Sequence, residues 1–548
     1  MKRLIMKHAA VLLAAGALSV ATAQNAEAQQ RSFLPPTMGW SSWNTFALDI
    51  NEDVICGQAD QMIAKGLDKV GYKYINIDDG YMNGRGSDGN LIVNTKLFPN
   101  GMKHVADYIH SLGLKAGIYS DAGDNTCGSS NVSAYGLNVG LAGHELQDCQ
   151  LYFNDWGYDF IKVDYCGGNH LGLDERKQYT KISDAIRQCE KETGRKIVFN
   201  VCRWAYPGTW INNVGNSWRT TGDITDSWHR PEDKQWANGV RDIVLENLYI
   251  QAYTGDGHYN DMDMLEIGRL NDANAERTHM AYWCIASSPL LIGCDLSTLS
   301  GETLALLKNT DLIAMNQDVL GIGAPVVQRE GDVYVVAKDM EQLHGPKRAV
   351  VVMNLTDRQQ TIAVDLKALQ YQGTVGVHDC FSKADTRESG STMAVTIPAH
   401  GSQAYILSGT RCDKTLYQAE EAWLHDYQEI SDSKTAMPMM NAAADQGVYV
   451  GNIGWRDSNY LEWRDVHVDK AGKYRLSFRY AAAKDRDMSV SVNGREVKNF
   501  TGLNSGSWDA QWSVCTVDVD LKAGSNTVSI ANHDDYAPNI DSMSIEKL

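Results

Sequence analysis

Cysteine is scarce in this sequence, with eleven among 548 residues. So sparse and odd a number does not form the dense framework of a small disulfide-stapled protein. No apolar run is long enough to span a bilayer, since the best candidate, residues 9–20, is too short. Short-period repeats and long low-complexity linkers are also missing. A large globular chain with several ordinary cores fits these absences.

Basic residues are outnumbered, with 50 Lys and Arg against 68 Asp and Glu and a net charge of −18. A charge of that sign repels nucleic acid and anionic membranes, and it suits a neutral substrate. We therefore expect no nucleic-acid partner and no membrane span.

The N-terminus has the three parts of a secretory signal peptide. A basic start precedes the apolar run, and small residues follow at Ala21-Thr22-Ala23, with a second possible cleavage position after Ala26-Glu27-Ala28. We predict that residues 1–28 are a signal peptide and that the mature protein is secreted or periplasmic. One or two disulfides are then plausible.

Residues 33–318 alternate strand-like apolar runs with amphipathic stretches, such as helices predicted over 52–69 and 101–112. This alternation is typical of βα units and a parallel sheet. Eight strand ends can be counted, which predicts a (β/α)8 TIM barrel. They fall near Trp43, Asp78, Tyr119, Asp164, Cys202, Asp223, Asp263 and Asp295.

After Asp318 the pattern changes to short alternating runs separated by Gly, Asp and Asn. We predict an antiparallel β-sandwich over 319–409 and a second all-β segment over 410–548. In that second segment, Asn493-Gly494 predicts a tight hairpin turn.

Two carboxylates arrive on separate strand ends. Asp164 closes an apolar strand and Asp223 closes another, and in a parallel barrel those ends open onto the active site. Hydrolysis of a glycosidic bond needs such a pair, about 5 to 5.5 Å apart in a retaining enzyme. Lys162 lies on the same strand face as Asp164, where its charge could keep that carboxylate ionised. Arg219 could bind substrate or orient neighbouring acids. The alternative is that these are ordinary strand-end acids paired with nearby bases.

Asp78-Asp79-Gly80 closes the second strand. Adjacent carboxylates repel each other and rarely help stability, so we interpret them as binders of sugar hydroxyls. Trp40 and Trp43 offer a flat apolar wall for a pyranose, unless they are buried in the barrel floor.

Seven ordered motifs carry a family resemblance. They are Met38-Gly39-Trp40-Ser41-Ser42-Trp43-Asn44, Asn76-Ile77-Asp78-Asp79-Gly80, Gly117-Ile118-Tyr119, Lys162-Val163-Asp164-Tyr165-Cys166, Trp218-Arg219 with Gly222-Asp223-Ile224, Tyr259-Asn260-Asp261-Met262-Asp263-Met264 and Ala314-Met315-Asn316-Gln317-Asp318. Over roughly residues 33–409 the chain resembles the α-galactosidases of glycoside hydrolase family 27, in clan D.

That resemblance implies a retaining double displacement without a cofactor, in which Asp164 attacks the anomeric carbon and Asp223 is acid and then base. Asp78 and Asp79 would bind O4 and O6 of galactose. The resemblance also implies a disulfide between Cys127 and Cys166. Further pocket residues implied by it are Trp43, Tyr119, Lys162, Cys202, Trp204, Arg219 and Asp263.

One departure concerns the 2-hydroxyl. Where typical members have Cys-Glu-Trp, this chain has Cys202-Arg203-Trp204, so recognition of that hydroxyl stays open. The bulky Trp204 and Tyr206 favour an unsubstituted hydroxyl at C2 over an N-acetyl group, and Asp79 favours galactose over L-arabinopyranose.

The C-terminal segment, 410–548, is similar to carbohydrate-binding modules of families 6 and 35, and this resemblance implies that it folds as a β-sandwich jelly roll. The resemblance implies a structural calcium held by Gln418, Glu420 and Asp541, whose oxygens suit a hard cation. Five aromatics could include a sugar-stacking platform with Asn532 as a polar contact, although most are expected in the core. They are Trp455, Tyr460, Trp463, Trp508 and Trp512.

We therefore expect an exported retaining α-galactosidase acting on α-galactosyl oligosaccharides or polysaccharides. The alternatives within the family are a β-L-arabinopyranosidase and an α-N-acetylgalactosaminidase. A non-enzymatic alternative, a lectin-like sugar-binding protein, predicts the loss of one central carboxylate, and neither is lost.

Overall fold

The computed structural model describes residues 34–131, 138–428 and 434–548. The predicted signal peptide lies outside these described residues. Pro36–Leu548 forms one unit, and every contact given below lies within it. None of the described helices combines the length and the apolar character needed to cross a membrane.

Eight parallel strands form the first sheet, as predicted for a (β/α)8 barrel. They are Met38–Ser41, Tyr74–Asn76, Lys115–Asp121, Phe160–Asp164, Val198–Val201, Ser217–Arg219, Tyr259–Asp261 and Leu290–Ile292. The hydrogen-bonded order runs from the seventh strand down to the first and then to the eighth. A parallel bridge between Leu265, which follows the seventh strand, and Ile292 joins the two ends.

Two strands end earlier than predicted. The sixth ends at Arg219, and Asp223 begins a separate short strand, Asp223–Ile224, that pairs with Ala237–Asn238. The eighth ends at Ile292, because Asp295 instead caps a short 3-10 helix by accepting a hydrogen bond from the amide of Ser297. Both segments turn at the mouth of the barrel rather than inside its sheet.

The first long helix, Glu52–Ala64, is shorter than the predicted 52–69. Gly66 adopts a left-handed conformation with φ of 65°, and the amide of Leu67 donates back to the carbonyl of Met62. This is the glycine-dependent way of ending a helix. The second, Met102–Ser111, ends before Gly113 as predicted.

The remaining helices of the barrel segment lie between its strands and after them. They are Trp43–Phe46, Asp68–Val70, Cys127–Asn131, Glu145–Cys149, Gln150–Asp155, Cys166–Leu171, Glu175–Thr193, Thr209–Asn213, Val240–Asn247, Gln251–Tyr253, Ala273–Ile285, Leu296–Thr298, Gly301–Leu307 and Thr310–Asn316. A small hairpin, Met82–Arg85 with Leu91–Val93, follows the second strand.

The middle sandwich is antiparallel throughout, with a six-stranded and a two-stranded sheet. Its strands are Val326–Glu330, Val333–Asp339, Lys347–Asn354, Gln360–Asp365, Tyr371–Asp379, Asp385–Glu388, Thr392–Ile397 and Ser402–Arg411. Thr392–Ile397 alternates exposed and buried residues along its whole length, as a strand covering one core does.

The C-terminal module also consists of two antiparallel sheets. Its strands are Leu416–Gln418, Trp423–Leu424, Met437–Met440, Val448–Gly451, Leu461–Val468, Gly472–Ala481, Arg486–Val492, Arg495–Leu503, Ser513–Leu521, Gly524–Ala531 and Asn539–Lys547. The predicted turn at Asn493 and Gly494 is present, and both residues have the positive φ that a tight hairpin requires.

A stack of three tyrosines joins this module to the barrel. The ring of Tyr206 lies 4.7 Å from that of Tyr253 and 5.4 Å from that of Tyr427. Nearby, the hydroxyl of Thr209 donates to the carbonyl of His425 at 2.8 Å. Tyr206 is therefore buried between domains, and the expectation that its ring crowds the C2 position of a sugar is wrong.

Candidate active site

The barrel strands bring the predicted polar residues to one end of the sheet. Asp164 is the last residue of the fourth strand, and Lys162 pairs in register with Tyr119 on the third. A cavity of about 380 Å³ opens beneath these ends. Its lining includes Asp78, Lys162, Arg219 and Asp263.

Asp164 is buried, and its carboxylate accepts a hydrogen bond from the hydroxyl of Tyr119 at 3.0 Å. Burial raises the pKa of Asp164, while Lys162 and the thiol of Cys202 lower it and Asp223 raises it further. The two central carboxylates therefore act on each other. Lys162 lowers the pKa of Asp164, as predicted, but burial raises it by more, so the net shift in that pKa is upward.

Lys162 makes its direct ion pair with Asp78, at 3.0 Å, and its ammonium lies 5.3 Å from the ring centroid of Tyr119. The neighbouring carboxylates and thiol raise the pKa of Lys162 well above its usual value despite burial. The lysine thus remains a fixed positive charge between the second and fourth strands.

Asp79 is held by backbone amides on both oxygens, from Gly80 at 2.9 Å and from Gly128 at 2.8 Å. Burial raises its pKa to about 6, with the charge of Asp78 as a further contribution. Gly128 follows Cys127, and the predicted disulfide between Cys127 and Cys166 is present. That covalent link therefore secures the short helix Cys127–Asn131, from which Gly128 donates to Asp79.

Arg219 connects the remaining acids. Its guanidinium lies 2.7 Å from Asp263 and 3.1 Å from Asp223, and it donates to the sulfur of Cys202 at 3.7 Å. Burial raises the pKa of Asp263 to about 6, although Arg219 opposes that shift. The side chain of Asp223 is 40% exposed, whereas that of Arg219 is only 4% exposed. Asp223 is thus the solvent-facing end of this network.

The tryptophans divide between core and site. Trp40 is fully buried and its indole N–H donates to the carbonyl of Cys294, so the expectation of a sugar wall at Trp40 is wrong. Trp43 is partly exposed at the start of the short helix after the first strand. Trp204 is also partly exposed, just after Cys202.

Arg203, which stands where the family has an acid, is paired with Glu175 at 2.8 Å. Its guanidinium also lies 5.2 Å from the ring of Tyr165 and 5.9 Å from that of Trp204. The arginine charge is therefore compensated locally, and Glu175 is a nearby acid that the sequence did not single out.

Asp121 was also missed by sequence reasoning. It lies beside Asp164 in register, is fully buried, and accepts hydrogen bonds from the amides of Gly123 and Gly167. Burial, with the charge of Asp164, raises the pKa of Asp121 to about 8. The available signal was its position two residues after Tyr119 on the same strand face.

The C-terminal module brings Gln418, Glu420 and Asp541 together in its interior, with Asp445 as a fourth member. Asp445 accepts from the amide of Gln418 at 2.9 Å, and its own N–H donates to Asp541 at 2.8 Å. Within the described chain, Gln418 Oε1 and Glu420 Oε2 are buried without hydrogen-bond partners. Burial and the surrounding acids raise the pKa of Glu420 well above its usual value. The orphaned oxygens of Gln418 and Glu420 fit a hard divalent cation, while the carboxylate of Asp541 is also paired with Arg479.

Among the five aromatics considered as a platform, Trp455 and Trp508 are exposed, at 61% and 39%. Tyr536, which the sequence did not single out, lies 5.4 Å from Trp455. Trp463 is buried and donates to the carbonyl of Gln418, so it belongs to the core. Asn532 uses its amide on the carbonyls of Asp487 and Tyr536, which commits it to loop structure.

Comparison with known proteins gives three family matches along the chain. The family models for alpha galactosidase A, for the alpha galactosidase C-terminal beta sandwich domain and for carbohydrate binding module family 6 match residues 35–318, 330–407 and 428–547. An alpha-galactosidase of Oryza sativa is 39% identical over 384 residues, 68% of this chain and 84% of the relative. Alpha-galactosidase A of Cellvibrio japonicus is 36% identical over 400 residues, 70% of this chain and 95% of the relative.

A solved structure, alpha-galactosidase I of Mortierella vinacea, has 26% identity and a TM-score of 0.62, covering 69% of this chain and 98% of that one. The fold and the acid-lined barrel mouth are those of a glycoside hydrolase. More specifically, the chain belongs to the alpha-galactosidase family, glycoside hydrolase family 27.

Replacing Asp121 with Asn tests its protonation. Asn keeps one acceptor and places its NH₂ at Oδ2, which has no partner among the described residues. Between about pH 4, where an unfolded Asp ionises, and about pH 8, the folded wild type holds one extra proton. The contribution of Asp121 to the free energy of unfolding therefore falls as pH rises, by up to about 1.4 kcal/mol per pH unit.

Urea unfolding at pH 5, 6 and 7 should show that the free energy of unfolding falls less steeply with pH in Asp121→Asn than in wild type. Asp121→Ala should instead be destabilised at every pH, by roughly 1–3 kcal/mol, because two buried amides lose their acceptor. Parallel curves for wild type and Asp121→Asn would contradict a protonated Asp121.

Proposed function

We propose that the protein is an exported retaining α-galactosidase with Asp164 as nucleophile and Asp223 as acid and base. The observation that carries the proposal is the contrast between the two carboxylates: Asp164 is buried and fixed by Tyr119, while Asp223 faces solvent beside Arg219. A nucleophile needs a fixed position, and a proton donor must reach the leaving oxygen from the open side.

In the first step an oxygen of Asp164 bonds to C1 of galactose while Asp223 gives its proton to the departing oxygen. In the second step Asp223 takes a proton from water, the water oxygen bonds to C1, and the bond to Asp164 breaks. Two displacements at C1 leave its configuration unchanged. Neither step requires a cofactor.

The pocket follows from the same arrangement. Asp78 and Asp79 accept hydrogen bonds from O4 and O6, and Trp43 packs against the apolar face of the sugar. The other groups that we assign to substrate binding or to its support are Tyr119, Lys162, Cys202, Trp204, Arg219 and Asp263. The Arg203–Glu175 pair stands where other members bind the 2-hydroxyl.

Export rests on the signal-peptide pattern, so N-terminal sequencing of the mature protein should begin after residue 23 or 28. We place the domains at 33–318, 319–409 and 410–548, supported by their strand sets and the three family matches. In the last domain, the exposed Trp455 and Trp508, with the half-buried Tyr536, form the aromatic group suited to carbohydrate.

Azide rescue distinguishes the two carboxylate roles. With Asp164→Ala, azide should occupy the nucleophile's place and give the β-galactosyl azide by a single displacement. With Asp223→Ala, azide should replace water in the second step and give the α-galactosyl azide. Asp223→Ala should lose about 10²–10⁴-fold in rate on substrates with poor leaving groups and less on activated ones.

The product anomers are measured by NMR, with Asp107→Ala, an exposed acid on the second long helix, as the control that keeps wild-type rates. The same azide anomer from both variants, or full activity of Asp164→Ala, would refute the assignment.

Substrate preference is the second measurement. We expect kcat/KM to be highest on an aryl α-galactoside, lower on the β-L-arabinopyranoside, which lacks the C6 hydroxymethyl group, and lowest on the α-N-acetylgalactosaminide. A missing charge-assisted hydrogen bond reduces kcat/KM by about tenfold or more. In Asp79→Asn, therefore, kcat/KM on the galactoside should exceed kcat/KM on the arabinopyranoside by a smaller factor than in wild type. Faster hydrolysis of the arabinopyranoside would favour that alternative activity.

We also propose a structural calcium held by Gln418, Glu420 and Asp541, with Asp445 beside them. A cation that binds only the folded state raises the unfolding midpoint. Calcium added to EDTA-treated protein should raise the midpoint of wild type and of Glu421→Gln, whose side chain pairs with Lys414, but not that of Glu420→Gln. An equal response of Glu420→Gln would rule the site out.

A further inference from the structure

Two histidines and two aspartates meet where the barrel contacts the middle sandwich. We call this group the junction cluster: His229, Asp272, Asp357 and His400. His229 lies in the segment between Asp223–Ile224 and Ala237–Asn238, and Asp272 caps the helix Ala273–Ile285. Asp357 and His400 come from two turns of the sandwich. The catalytic proposal uses none of the four.

Three of these side chains converge. A ring nitrogen of His229 and a ring nitrogen of His400 both approach the carboxylate of Asp357. Nε2 of His400 is 2.9 Å from Oδ1 of Asp357, and Nε2 of His229 is 3.6 Å from the same oxygen. All three ligand atoms lie within 4.8 Å of one another. Ligands at zinc bond lengths of about 2.0–2.2 Å in a tetrahedron are roughly 3.3 Å apart. The two distances to Asp357, 2.9 and 3.6 Å, lie on either side of that value.

The fourth member orients the site. Nδ1 of His400 is 2.7 Å from Asp272, whose other oxygen accepts from the amides of Asn274 and Ala275. A carboxylate on the far nitrogen of a histidine fixes the ring and leaves the near nitrogen free to ligate a metal. His400 also stacks on Trp228 at 4.7 Å, so its ring is held on two sides.

The ring planes distinguish this cluster from a second one, His344, Asp465 and His467. There the two imidazoles stack at 3.9 Å with planes 28° apart, so their in-plane lone pairs run side by side. The rings of His229 and His400 are 6.2 Å apart at 89°, which lets their lone pairs converge. His229 is the more exposed of the two and has room to close the remaining gap.

We propose that the junction cluster binds a divalent transition-metal ion of the zinc class. Nε2 of His229, Nε2 of His400 and the carboxylate of Asp357 are the ligands, and Asp272 supports His400 from behind. Two imidazoles select zinc-like ions over calcium or magnesium. The ion would tie the segment that follows Asp223 to the middle sandwich.

Zinc chloride alone is the probe, titrated calorimetrically into the untagged, metal-stripped full chain with calcium in excess to saturate oxygen-only sites. His229→Gln removes a ligand, and Asp272→Asn removes the supporting carboxylate. We expect Asp272→Asn to weaken zinc binding by roughly 10–100-fold and His229→Gln by at least as much. His533→Gln is the matched control, because His533 is an exposed histidine paired with a single aspartate, Asp457.

The alternative is that His400 is only a cation between two carboxylates, without a metal ligand role for His229. Zinc affinity unchanged in His229→Gln would overturn the proposal, as would a loss of binding in His467→Gln instead. Each variant should unfold at the wild-type temperature without metal, and at a fixed zinc concentration the zinc-dependent rise in that temperature should be smaller only in His229→Gln and Asp272→Asn. These readouts do not depend on hydrolytic activity.

Discussion

The mouth of the barrel depends on the contacts that the buried guanidinium of Arg219 makes. This guanidinium contacts Asp223, Asp263 and Cys202, which come from three different segments of the chain. Arginine does not lose its proton in proteins, so this charge needs its partners permanently. Breaking a buried pair typically costs about 3–5 kcal/mol, which makes Arg219 and the buried Asp263 interdependent. Asp223, whose side chain is 40% exposed, adds a weaker contact to the same guanidinium.

Acids outnumber bases at the barrel mouth, and burial raises the pKa of several of them. Asp79 and Asp263 have pKa values near 6 and Asp121 near 8, while Lys162 and Arg219 stay charged. Carboxylates accept hydrogen bonds from sugar hydroxyls and repel anions. The acids that line the cavity, Asp78, Asp261 and Asp263, therefore suit a neutral sugar.

Sequence reasoning located the barrel and Asp164 because an apolar strand ending in a carboxylate is a local pattern. It misplaced the end of the sixth strand, since the departure of the chain after Arg219 depends on pairing with Ala237–Asn238, far along the sequence. The cysteine pair came from family resemblance and was confirmed. The burial of Trp40 and the pairing of Arg203 are tertiary facts that no local pattern records.

The three stacked tyrosines between barrel and C-terminal module fix the orientation of one part relative to the other. A module on a flexible tether samples many orientations and only raises local concentration. Here Tyr427 is clamped against Tyr206 and Tyr253, so the module keeps a fixed bearing relative to the barrel. A polysaccharide bound by the module would consequently reach the cavity from one direction. The spacing of galactosyl branches along that polysaccharide would then decide which branches the barrel can hydrolyse.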